Sequence, residues 1–177
     1  MRNNKAAGQK IKTKLPLERT EKSEFPKGLK GVTFCNNCGV AYYKKSWHHS
    51  LHGYKSLSED VEIKFSLCPA CKMIKNNQFE GEVRVKNIPE DEVQGVIKLI
   101  EGYGRRAYDD DPLDRVISIK RMPRGTGRED VIVTTTENQL ARKMAKKIKD
   151  AFNKVKVTYS FSKAPSDVIY VNVEFLI

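Results

Sequence analysis

Two cysteine pairs, Cys35-Asn-Asn-Cys38 and Cys68-Pro-Ala-Cys71, constrain this chain more than any other feature. Two intervening residues let both sulfurs of a pair turn towards one point while backbone amides offset thiolate charge. Gly39, directly after Cys38, permits the tight turn of such a knuckle. Two knuckles supply the four thiolates of a closed tetrahedral site, the donor set of structural zinc. The 29 residues between Cys38 and Cys68 exceed the simplest zinc-ribbon spacing and lengthen the intervening lobe. The expectation is one structural zinc ion on Cys35, Cys38, Cys68 and Cys71.

Other chemistries use the same residues. A redox C-x-x-C needs a strand before it and a helix N-terminus under it, a context the sequence does not display for either pair. An iron–sulfur cluster takes four cysteines, although pairs flanked by Gly and Pro are more often zinc. Catalytic zinc needs an open position, and four thiolates leave none. His48, His49 or His52, between the pairs, stands as a substitute ligand or part of a second site.

Metal is preferred over disulfides if the chain is intracellular. The N-terminal run MRNNKAAGQKIKTKLP has no apolar h-region, so it does not read as a secretory signal. No segment approaches the roughly 20 apolar residues of a membrane span. A cytoplasmic protein with no membrane partner and no small-molecule substrate is expected. Among its 177 residues Lys and Arg outnumber Asp and Glu by 33 to 22, a formal charge of +11. Such a surface suits a polyanion, because Lys and Arg displace counterions from phosphates. Net charge alone is equally compatible with a soluble basic protein.

Three segments follow. Residues 1–30 hold nine Lys or Arg against three Glu and few large apolar residues. They read as a basic flexible tail, with Lys10, Lys12 and Lys14 as candidate RNA contacts. Residues 31–79 are the zinc-binding lobe. There Tyr42, Tyr43, Trp47 and Tyr54 interleave with Lys44, Lys45 and Lys55, beside His48 and His49. Aromatics stack on unpaired bases while lysines hold phosphates, so Lys44, Lys45, Trp47, His48 and His49 are candidate contacts. Trp47 equally suits the small core of the lobe.

Residues 80–177 alternate between periods of two and of about four. Glu82–Lys86 reads as a strand, Pro89 as the start of a helix that ends at Gly102 and Gly104. Arg115–Met122 and Asp130–Thr136 read as a hairpin, and a helix near Glu137 carries Leu140, Met144, Ile148 and Phe152. Strands Val155–Phe161 and Ile169–Phe175 close the segment. The fold class is α+β: a zinc-ribbon or treble-clef-like lobe built on the four cysteines, then a ferredoxin-like βαββαβ domain with an extra C-terminal strand. The sheet is expected to be antiparallel, with two helices on one face and the other face open. The hairpin loop adds Lys120, Arg121, Arg124 and Arg128 as candidate RNA contacts.

Phosphate-binding, nucleophile-elbow and H-E-x-x-H motifs are missing, so an enzyme is not expected. Asp109, Asp110, Asp111 and Asp114 cluster acid, but one short run is more often a solvated loop than a metal site.

The run Cys35-x-x-Cys38-Gly39-Val-Ala-Tyr42-Tyr-Lys-Lys45-x-Trp47, followed by Leu67-Cys-Pro-x-Cys71, resembles the nonsense-mediated mRNA decay protein three family. The similarity extends through Gly81-Glu-Val-Arg-Val85, Leu99-Ile-Glu101, Leu140-Ala-Arg-Lys-Met144 and Tyr159-Ser-x-Ser162. The resemblance implies a short prokaryotic-type relative of large-ribosomal-subunit export and assembly adaptors. Ribosomal RNA, the large subunit and ribosomal proteins are then the implied partners, in assembly, surveillance or translation control. The alternative is a zinc-dependent protein–protein interaction adaptor without direct RNA contact. A nucleic-acid enzyme using Asp109–Asp114 is the third.

Overall fold

The computed structural model describes residues 31–54, 61–125, 127–164 and 166–176. Lys10, Lys12, Lys14 and Lys55 lie outside them. The chain is α+β, with two sheets and three helices among the described residues.

The cysteine-bearing lobe contains β1 (Val32–Cys35), β2 (Ala41–Tyr43), β3 (Ser46–His48), β4 (Ile63–Ser66) and α1 (Pro69–Lys75). Its sheet order is β3-β2-β1-β4, with β4 parallel to β1. Lys44 and Lys45 form the two-residue β2–β3 turn at φ 48° and 66°. Those left-handed angles suit Asn-Gly, not Lys-Lys.

The second unit contains β5 (Gly81–Pro89), α2 (Val93–Asp110), β6 (Val116–Pro123), β7 (Arg128–Thr135), α3 (Asn138–Ala151), β8 (Val155–Phe161) and β9 (Ile169–Phe175). Its sheet order is β6-β7-β5-β9-β8. Val83, Val85, Val131, Val133, Val171 and Val173 point to one face, where α2 covers them with Val96 and Ile100 and α3 with Leu140, Met144 and Ile148. Burial of this continuous apolar face is the main driving force for the unit.

The observed sheet departs from the expected antiparallel one. β9 lies between β5 and β8, parallel to β5 and antiparallel to β8, so the sheet is mixed. The final strand is an interior one. Two helix boundaries also differ. Asn87, at φ 56°, carries a bulge that takes β5 on to Pro89, so α2 starts only at Val93. Gly102 and Gly104 do not end α2, which continues to Asp110. A Cβ on Gly104 would stand 2.6 Å from Val116 Cγ2, so this glycine lets β6 pack against the helix.

The open face of the sheet is polar and mixed in charge. Arg84 pairs with Glu82 at 2.5 Å, and the Ser118 and Thr134 hydroxyls meet at 2.8 Å. No described helix is long and apolar enough to cross a membrane.

Candidate metal centre and cationic surfaces

Cys35 ends β1 and Cys38 lies in the following turn. Cys35 N–H donates to Val40 O and Gly39 N–H to Cys35 O, at 2.7 and 2.9 Å, which closes the knuckle. Gly39 sits at φ +77°, where a side chain would be strained. The second pair is not a knuckle. Cys68 is the N-cap of α1, Pro69 takes the first helical position and Cys71 lies in the first turn. Strand β4 precedes it, so this pair has the strand–helix context that the sequence did not display.

That context does not make an isolated redox pair. Cys68 is fully buried, and its sulfur is 3.8 Å from that of Cys38. All four sulfurs lie within 4.8 Å of one another and none is in a disulfide. A tetrahedral thiolate site with metal–sulfur bonds of about 2.3 Å has sulfur–sulfur edges of about 3.8 Å. The four cysteines could therefore hold one metal ion, with all four positions filled by protein.

N–H donors are aimed at three of the four sulfurs. Cys68 N–H donates to Cys35 Sγ at 3.3 Å, Cys71 N–H to Cys68 Sγ at 3.4 Å, and Asn37 Nδ2 to Cys71 Sγ at 3.2 Å. Burial pushes the Cys68 and Cys71 thiols up. It acts on Cys35 in the same sense, but backbone donors from Cys68, Asn37 and Cys38 outweigh it and bring that thiol down to about 6. A divalent cation resolves the conflict, because it neutralises half of the charge that burial opposes.

Arg115, just before β6 in the second unit, is a site residue that the sequence does not reveal. Its Nη2 donates to Cys38 Sγ at 3.1 Å and its Nη1 to Cys71 Sγ at 3.5 Å. Its Nε donates to Pro112 O at 2.9 Å, and its guanidinium lies 5.0 Å from the Tyr108 ring centroid. On the lobe side, His49 meets the same ring edge-on at 4.6 Å, with Nε2 2.5 Å from Tyr108 O. Leu113 packs against the cysteine cluster. The two units are thus joined at the cysteine cluster.

The histidines make contacts away from the sulfurs. His48 Nε2 is 3.1 Å from Tyr43 O, and His49 is engaged by Tyr108. Trp47 packs against the cysteine cluster and lies 5.3 Å from the Tyr42 ring, with its indole N–H buried. It is half-buried and packs onto the lobe core. The Asp run offers no converging ligand set: the four cysteines alone do so among the described residues. Asp109 and Asp110 end α2, and Asp111 accepts from Leu113 N–H at 2.8 Å.

The candidate cations fall into separate patches. Lys44 and Lys45 stand exposed at the lobe turn. At the end of the β6–β7 hairpin, Arg121 forms a two-pronged pair with Glu129, Arg124 pairs with Asp130, and Arg128 Nη1 donates to Asn87 O at 2.8 Å. Only Lys120 of that group has no such partner among the described residues. The lobe docks at the start of β6 and this loop lies at its end, about 25 Å along the strand. Comparison with family models, curated proteins and solved structures gives no match for this chain.

Proposed function

We propose that the chain is a non-enzymatic RNA-binding protein with one structural zinc ion, acting in association with the large ribosomal subunit. The observation that carries this reading is the closed four-thiolate cluster. It leaves no coordination position for substrate, so its service is to hold a small lobe in shape. Four sulfurs within 4.8 Å of one another suit a single tetrahedral ion rather than a multi-iron cluster, and zinc is the usual single ion of four structural thiolates. We read the lobe as treble-clef-like, and the second unit as a ferredoxin-like βαββαβ core into which β9 is inserted. RNA is supported by the charge of +11 and by exposed cations on both units. The ribosomal assignment rests on the sequence resemblance around the two cysteine pairs.

Zinc-loaded protein should bind ribosomal RNA fragments with an affinity that falls steeply with salt. Each phosphate neutralised adds about 0.7 to 0.9 to the slope of log K against log salt. Affinity that is flat between low and moderate ionic strength would overturn the RNA reading. Ile63 and Phe65, 59% and 71% exposed on edge strand β4, favour the protein adaptor as the second reading. That reading expects salt-insensitive co-sedimentation with a protein partner.

A further inference from the structure

The edge of the five-stranded sheet carries a surface that the two cation patches above do not include. On β8, Tyr159 and Phe161 stand in register beside Val171 and Ile169 of β9. All four point to the helix face. Val171 and Ile169 are fully buried, but Tyr159 and Phe161 are 50% and 57% exposed, because the sheet extends beyond the cover of α3. Exposed aromatic rings on an edge strand invite aggregation, and proteins ordinarily avoid them.

One side chain lies across both rings. The Arg142 guanidinium carbon is 6.0 Å from the Tyr159 centroid and 5.2 Å from that of Phe161. Lys146 and Lys149 follow Arg142 at helical spacing and are exposed like it. Lys147 and Asp150 mark the opposite flank of α3, where they line a cavity with Tyr103 and Arg106 of α2. The Arg142–Lys146–Lys149 stripe therefore borders β8. No ion pair engages these three cations among the described residues.

We infer that Tyr159 and Phe161, with Arg142, Lys146 and Lys149, form a binding site for single-stranded RNA. This rests on the RNA-binding reading above and names the part of the molecule that meets unpaired bases. Residues i and i+2 of a strand are about 6.6 Å apart, so each ring receives its own base. Phosphates follow the cations of α3. Duplex RNA, whose bases are already stacked, gains nothing from the rings.

The test is fluorescence anisotropy of full-length, zinc-loaded protein with labelled oligouridylate of about 12 nucleotides, and with a duplex RNA of equal length. Tyr159→Leu/Phe161→Leu keeps the apolar surface and removes the stacking faces. It should weaken single-strand binding on the order of 10- to 100-fold and duplex binding less than about twofold. Lys146→Gln/Lys149→Gln should lower the single-strand salt slope by about 1.4. If the leucine pair shifts the unfolding temperature, this lysine pair carries the test, since it touches no core. Unchanged single-strand affinity, or equal loss on duplex, overturns the site. So does a dimer that the leucine variant abolishes while RNA affinity stays constant, which would assign the rings to a second copy. Wild-type protein that binds neither RNA would instead defeat the RNA-binding reading itself.

Discussion

A four-thiolate site around a divalent ion carries a net charge of −2, and Arg115 is the cation placed against it. Its two terminal nitrogens reach Cys38 and Cys71 at 3.1 and 3.5 Å, while Tyr108 and Pro112 fix the rest of the side chain. Outer partners of metal ligands commonly control affinity by 10- to 100-fold. Arg115→Leu is therefore expected to lower metal affinity by on the order of tenfold or more, measured as competition with a chromophoric chelator. Arg115→Lys should recover only part of this, because an ammonium lacks the planar fork. Equal chelator competition in all three proteins would show that the guanidinium does not act on the metal. The clustering of the four cysteines was legible because two residues between cysteines is a local signature. Arg115 was not. It lies 44 residues from Cys71 and 77 from Cys38, directly after an acidic run. Nothing in its neighbourhood announces a long-range pairing.

The β2–β3 turn holds Lys44 and Lys45 at positive φ, where L-residues with a Cβ are disfavoured by about 1 kcal/mol each. A conformation retained at that cost suggests that the two side chains serve a purpose at the tip. Lys44→Asn/Lys45→Gly should raise lobe stability by about 1 kcal/mol and weaken RNA binding together. Thermal unfolding and a salt titration read the two effects separately. A more stable variant with undiminished RNA affinity would reduce the turn to simple chain reversal. Strands β5, β8 and β9 were legible as elements because apolar and polar residues alternate along them. The start and end of α2 were not: Pro89 and Gly104 carry the usual signals for a helix terminus, but here they serve a bulged strand and a close helix–strand contact. Periodicity also assigns Tyr159 and Phe161 to the correct face without showing that the face ends before it reaches them.

The two units differ in how much apolar surface they close. Five buried residues form the lobe cluster, three of them cysteines, whereas seventeen form the core of the second unit. With so small a core, the lobe is expected to depend on an ion held by the four cysteines, at a contribution on the order of 10 kcal/mol. Trp47, the single tryptophan, packs on the cysteine cluster and so reports on the lobe alone. Chelation should shift Trp47 emission to the red while far-UV circular dichroism retains most of its signal. Simultaneous loss of both would mean that the larger unit also requires the metal. The cysteines and the alternating strands occupy separate stretches of sequence, and each stretch forms its own sheet. How the units join was hidden, since His49, Tyr108, Leu113 and Arg115 have no shared local pattern.

The placement of β9 has a consequence for biosynthesis. It occupies an interior slot of its sheet yet leaves the ribosome after every strand it adjoins. Until it emerges, β5 keeps an unpaired edge and β8 has no neighbour on which to hydrogen-bond. A nascent chain can form only β6-β7-β5 with its two helices, and it exposes a sticky border for as long as synthesis of the last hairpin takes. Premature termination within that hairpin therefore removes a keystone and strands β8, where the loss of an edge strand would merely trim the sheet.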